Sequence, residues 1–199
     1  MSLPPGLYGI ADAGFGDPVV AGRLLLQGGV RVLQLRCKGW TGDRVASAAR
    51  ALAPLCRKAD VPLILNDHPD LAAIGDGVHV GQEDGPVDRR LLPPGSLVGR
   101  STHDLDQLHA ALDEGVDYVG FGPVFGTRTK PGALAPRGVA ILARVVAAST
   151  VPVVAIGGLG PDNLAEVQAT GAHGWAVISA ILCAPDPVRA ARALREPAA

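Results

Sequence analysis

Residues 152–181 read PVVAIGGLGPDNLAEVQATGAHGWAVISAI. An apolar, β-branched run ends at Gly157 and Gly158, a segment of helical spacing follows over Asp162 to Thr170, and a second apolar run covers Gly174 to Ile181. Short apolar runs without polar alternation suit strands buried on both faces, as in a parallel sheet covered by its own crossover helices. Strand, helix and strand in so short a span make one βαβ unit.

The same unit repeats along the chain. Strand-like runs lie at Leu7 to Asp12, Arg31 to Arg36, Pro62 to Asp67, Gly77 to Gly81, Leu97 to Thr102, Tyr118 to Val124, Pro152 to Gly158 and Gly174 to Ile181, which makes eight. Helical spacing recurs at Pro18 to Gln27, Gly42 to Lys58, Leu105 to Glu114, Gly138 to Ala148, Asp162 to Thr170 and Pro187 to Arg195, with shorter connections after the third and fourth strands. Eight βα units predict a closed (β/α)8 TIM barrel, and 199 residues make it a trimmed example forming a single domain over residues 1–199. A doubly wound open sheet would need a nucleotide fingerprint after the first strand, and IADAGFGD at residues 10–17 does not supply one.

Composition agrees. With 48% hydrophobic residues the chain can bury a sizeable core, and only 4% are aromatic, which suits helices on a buried sheet better than a sandwich. The 26 glycines and 17 prolines are aperiodic and imply many tight turns. A net charge of −1 offers nothing to a nucleic-acid backbone or an anionic membrane. Cys37, Cys56 and Cys183 are odd in number and widely spaced, so a reducing cytoplasm is expected. The opening MSLPPGLYGIAD has no basic region followed by an apolar run, so neither export nor a membrane span is expected.

In such a barrel the chemistry sits at the C-terminal ends of the strands. Those ends are polar here, from Asp12 through Gln34, Arg36 and Lys38 to Asn66, Asp67, Ser101 and His103. The spacing by two of Gln34, Arg36 and Lys38 puts them on one face, with Leu33 and Leu35 on the other. An anionic ligand explains such a cluster, and salt bridges to Asp12 or Asp67 are the blander explanation. Asp67 and Asp84 end neighbouring strands and suit Mg²⁺ held with substrate phosphates; equally, Asp67 caps a short helix and Asp84 belongs to a turn. His79 lies inside a strand and reads as a hydrogen-bonded core residue. The loop GPVFGTRTKPGALAPRG after strand six suits a flap, with Thr127, Thr129 and Lys130 as its candidates and Arg128 and Arg137 as solvated cations. Gly157, Gly158 and the ISAI stretch occupy the usual phosphate position of barrels, or else a tight turn. The residues alone describe a barrel enzyme acting on phosphorylated substrates with Mg²⁺, the reaction being open.

In order, QLRCK, LNDHPDLA, DGVHVGQED, VGRSTH, DYVGFGPVFGTRTK, VVAIGGLGPDN and AVISAI resemble the motifs of the thiamine-phosphate synthase family, nearly end to end. The resemblance implies a transferase of thiamine biosynthesis. It would join 4-amino-2-methyl-5-(diphosphooxymethyl)pyrimidine to a thiazole phosphate, releasing pyrophosphate by a dissociative, Mg²⁺-assisted route. By position, Gln34, Arg36, Lys38, Asn66, Ser101 and Lys130 would hold the pyrimidine diphosphate, with Arg36, Lys38, Ser101 and Lys130 acting on catalysis. Asp67 and Asp84 would hold Mg²⁺, and Thr127, Thr129, Gly158, Ile178 and Ser179 the thiazole phosphate. Partners would be these small molecules, with no nucleic acid, no membrane and a homo-oligomer possible.

Cys37 departs from the family's usual acidic residue and should point away from Gln34 and Arg36. The connection from Asp70 to Asp76 and the segment before Leu7 are shorter than the resemblance implies. GRSTH and PRGVAIL also resemble the related thiazole tautomerase, which lacks the diphosphate and Mg²⁺ set; a non-catalytic barrel binding thiazole or thiamine phosphates is the third reading. His103 has no assigned role.

Overall fold

The computed structural model describes residues 2–127, 129 and 134–195. Its eight parallel strands close in chain order: β1 (Gly6–Asp12), β2 (Val32–Arg36), β3 (Leu63–Asn66), β4 (Gly77–Val80), β5 (Leu97–Thr102), β6 (Tyr118–Phe121), β7 (Val153–Ile156) and β8 (Gly174–Val177). Pairing of Gly6 to Gly9 with Gly174 to Val177 seals the sheet, which makes the expected (β/α)8 barrel.

The helices are α1 (Pro18–Gly28), α2 (Gly42–Ala59), α3 (Leu105–Asp113), α4 (Val139–Ala148), α5 (Leu164–Ala169), α6 (Ser179–Leu182) and α7 (Pro187–Arg195). Short 3₁₀ turns at Pro69–Ile74 and Arg89–Leu91 take the place of helices after β3 and β4. Local chemistry sets these bounds. Asp17 caps α1 by accepting from the N–H of Val19 at 2.7 Å, Pro18 follows at the first helical position, and Gly29 ends the helix at φ 84°. On α2 the buried Val45, Ala49, Leu52 and Cys56 recur every three or four residues and form one stripe toward the sheet.

Alternation along the strands divides the core in two. Leu33 and Leu35 of β2, Leu63 and Leu65 of β3, and Val153 and Ala155 of β7 face the helices. Tyr8, Ile10, Val32, Ile64, Leu97, Tyr118, Val154 and Ala176 fill the interior, with Leu3 beneath them. Inward positions nearer the strand ends are polar, and that change from apolar to polar along the barrel axis creates the site.

Five strands stop short of the sequence expectation, β3 and β4 by one residue, at Asn66 and Val80, and three by more. β6 ends at Phe121 because Pro123 has no N–H to continue a ladder. β7 ends at Ile156, where Gly157 and Gly158 take φ 100° and 67°. β8 ends at Val177, so Ser179 opens α6 rather than closing a strand.

Candidate active site

The strand ends surround one cavity of about 350 Å³. Gln34 and Arg36 project into it from β2, Lys38 from two residues beyond, Asn66 and Asp67 from the end of β3, and Ser101 from β5. From the opposite arc come Thr127 and Thr129 after β6, Gly158 after β7, and Ile178 and Ser179 after β8. The structure thus brings together eleven of the sequence-derived site residues. Lys130, like Arg128, lies outside the described residues.

Both cations at and beyond the end of β2 are paired. Arg36 donates from Nη1 to Oδ2 of Asp12 at 2.5 Å, and Asp12, 4% exposed, also accepts from the N–H of Gly14 at 2.8 Å. Lys38 Nζ pairs with Oδ2 of Asp67, a residue held at φ 62°. The salt bridges weighed as the bland alternative therefore exist: Arg36–Asp12 is largely buried beside the cavity, whereas the Lys38 side chain of the second pair is 58% exposed at its rim. They hold two cations in place where an anion can reach them. Cys37 packs among the residues between strands and helices, where burial pushes its thiol up to about 11, so it is no nucleophile.

Deeper in the cavity Gln34, Tyr8, Tyr118, His79 and Ser101 form a continuous hydrogen-bonded chain. Gln34 Nε2 donates to Tyr8 Oη at 2.9 Å, and the two tyrosine hydroxyls are 2.9 Å apart. His79 Nδ1 lies 3.1 Å from Tyr118 Oη and Nε2 lies 3.0 Å from Ser101 Oγ. Burial, with the nearby Arg100 charge, lowers the His79 pKa to about 4, and burial raises both tyrosines, so all three are neutral near pH 7. His79 is thus the hydrogen-bonded interior residue expected.

The opposite arc is built from small residues. A Cβ on Gly157 would fall 2.5 Å from Pro123 Cβ, and one on Gly158 would fall 2.4 Å from the carbonyl oxygen of Gly126. The segment after β6 runs against β7, with Phe125 N–H bonded to Gly157 O at 2.9 Å, so both glycines serve the tight turn as well as the cavity wall. Thr129 Oγ1 donates to Ser179 Oγ at 3.2 Å, joining the flap to the first turn of α6.

Asp84 is placed differently from its neighbours. It does not line the cavity, and its Oδ2 accepts from the N–H of Gly81 at 2.7 Å, whereas the adjacent Glu83 does line it. Arg100 of the GRSTH motif also faces away: it is 3% exposed and donates to the carbonyls of Gly81, Asp84 and Gly85 while pairing with Glu114, the residue that caps the end of α3, at 2.8 Å. Of that motif, Arg100 forms a structural clamp, while Ser101 and His103 line the cavity. His103 lines the cavity and its Nδ1 bonds to the carbonyl of Gly122. Sequence reasoning missed Tyr8 and Tyr118 as cavity residues, although inward parity on β1 and β6 marks both.

A closed parallel barrel with paired cations, carboxylates and a hydroxyl-rich arc at its strand ends defines a barrel enzyme for phosphorylated substrates. A family model described as thiamine monophosphate synthase matches residues 7–181. The thiamine-phosphate synthase of Anaeromyxobacter dehalogenans is 46% identical over 190 residues, covering 94% of this chain and 84% of that protein. That of Thermus thermophilus is 48% identical over 178 residues, covering 86% and 84%. The thiamine phosphate pyrophosphorylase structure from Pyrococcus furiosus superposes with a TM-score of 0.87 at 34% identity, covering 96% of this chain and 93% of that one. This chain belongs to the thiamine monophosphate synthase family and is a transferase of thiamine biosynthesis. Among the described residues no helix is long and apolar enough to cross a membrane.

Proposed function

We propose that the chain is a thiamine-phosphate synthase, joining the pyrimidine diphosphate to the thiazole phosphate with release of pyrophosphate. The observation carrying this reading is that one cavity places a charged arc opposite a hydroxyl and glycine arc. Gln34, Arg36, Lys38, Asn66 and Ser101 hold the diphosphate end, with Lys130 added from the flap. Thr127, Thr129, Gly158, Ile178 and Ser179 hold the thiazole phosphate.

Mg²⁺ would be held by Asp67, which lines the cavity, and by Asp84, which follows the adjacent strand but sits outside the cavity with its Oδ2 on the Gly81 N–H and would have to turn toward it. Two carboxylates completed by substrate phosphates are a usual magnesium arrangement, and no larger group of metal-ligating side chains exists among the described residues. When bound there, the ion neutralises charge on the diphosphate. Lys38 would bind the diphosphate, which would leave the Asp67 carboxylate available to hold the ion.

The protein's own part is electrostatic. Arg36, held by Asp12, and Lys38 face the oxygens that gain charge as the carbon–oxygen bond to the diphosphate breaks. The thiazole nitrogen supplies the new bond, so no side-chain nucleophile is required, and no cysteine lines the cavity. Release of pyrophosphate matched by thiamine phosphate, dependent on both substrates and lost with EDTA, is the expected result with purified protein. Interconversion of thiazole isomers without pyrophosphate would replace this reading with the tautomerase. Tight ligand binding without turnover would mark a non-catalytic barrel.

A further inference from the structure

The hydrogen-bonded chain through the barrel has a direction. Gln34 Nε2 can only donate, so Tyr8 Oη accepts from it. Tyr8 has one proton left, and the Tyr118 hydroxyl 2.9 Å away is its acceptor. Tyr118 must then send its own proton to His79 Nδ1, 3.1 Å away. A neutral imidazole accepting at Nδ1 carries its proton on Nε2, where Ser101 Oγ waits at 3.0 Å. Ser101 accepts that bond and keeps its own hydroxyl proton for the cavity it lines. The opposite polarity would aim two protons at each other between Gln34 and Tyr8, or leave a buried hydroxyl proton unpaired.

Space has been cleared for this chain. A Cβ on Gly99 would lie 2.1 Å from Tyr118 Cζ and 2.5 Å from its Oη, and one on Gly120 would lie 3.3 Å from His79 Cε1. Both glycines hold inward strand positions, where the two rings occupy the volume a side chain would take. Tyr8 and Tyr118 are 3% and 1% exposed, so the polarity is insulated from water at its centre.

We infer that Gln34, Tyr8, Tyr118 and His79 are positioning residues that lock His79 as its Nε2–H tautomer and turn Ser101 into an obligate hydrogen-bond donor toward the substrate. The inference rests on the reading of Ser101 as a substrate contact. A hydroxyl whose proton is free to turn either way is a poor electrostatic catalyst, whereas one already committed to donate costs no reorganisation as charge develops.

Long-range proton–nitrogen correlation spectra of nitrogen-labelled protein test the relay without substrate, with His79→Gln assigning the ring. The expected wild-type signal is a single Nε2–H tautomer. Gln34→Leu and Tyr118→Phe, which act upstream, are expected to give mixed tautomers, while Ser101→Ala, downstream, leaves the Nε2–H form intact. In turnover, Ser101→Ala is expected to lower kcat about a hundredfold, as for loss of a preorganised donor, and Tyr118→Phe about tenfold. The double variant should be no slower than Ser101→Ala alone, since both act through one hydroxyl. A wild-type Nδ1–H tautomer, spectra unchanged in both upstream variants, or fully additive losses would overturn the inference. Wild-type protein that shows the Nε2–H form yet makes no thiamine phosphate would instead refute the assigned reaction and leave the relay standing.

Discussion

The two arcs of the barrel mouth differ in the charge they carry. From β2 to β5 the wall is charged, and its charges arrive prepaired, Arg36 with Asp12 and Lys38 with Asp67. From β6 to β8 the described wall carries no charged side chain, only Tyr118, Thr127, Thr129, Ser179, glycines and apolar residues. A departing diphosphate accumulates charge as its bond breaks, so full charges held in place act on the rate there. A phosphate that merely anchors a substrate keeps the same charge throughout, and uniform binding from hydroxyls and close backbone is sufficient. On the proposed assignment of the two substrates, the asymmetry follows from which phosphate leaves.

Substitutions in the two arcs should therefore separate kcat from KM. Arg36→Gln, which keeps a donor for Asp12, is expected to lower kcat by about 10²–10³ with a much smaller change in the KM for the thiazole phosphate. Equal changes in both constants would erase the distinction. His79 gives a pH signature to the charged arc: its folded pKa near 4 lies below its ordinary 6.5, so the unfolded chain takes up a proton first. Stability is complete above pH 6.5 and falls on acidification toward pH 4, by at most roughly 3 kcal/mol, a slope that His79→Gln should flatten in urea titrations.

The hydroxyl and glycine arc should respond through structure and binding. Gly158→Ala adds a Cβ at φ 67° against the Gly126 carbonyl, and about 1–3 kcal/mol of destabilisation with a raised thiazole phosphate KM is expected from melting and kinetics. Thr129→Ala removes one hydrogen bond to Ser179, and about 0.5–1.5 kcal/mol, read as a several-fold rise in that KM at constant kcat, is the smallest effect. A fall in kcat for Thr129→Ala exceeding that of Arg36→Gln would reverse the assignment of the arcs.

Much of this was legible beforehand because a parallel barrel writes itself in repeating local units. Apolar runs such as PVVAI announce buried strands, and the period of two along Gln34, Arg36 and Lys38 announces which groups share the mouth. The same parity, applied to β5, places Ser101 inward and Arg100 outward, as found. What stayed hidden depends on strands distant in sequence. Tyr8 and Tyr118 meet only because the sheet curls until β1 faces β6, and no local pattern records that encounter. The carboxylate of Asp84 turns to Gly81 because a four-residue turn offers it a nearer partner than the cavity does, a choice that spacing alone leaves even. The end of β8 was overrun because ISAI is apolar enough for a strand, yet it folds into the first turn of α6.

The barrel interior has a floor. Leu3, 4% exposed, packs beneath Val32, Ile64 and Leu97, and its carbonyl is tied to His173 Nε2 at 2.8 Å. Among the described residues the barrel is therefore closed at that end, and on the proposed function two incoming molecules and two outgoing ones share the mouth. Traffic through a single door is sequential: whatever lies deepest must enter before its companion and depart after it, so steady-state kinetics should show a compulsory order of addition rather than a random one.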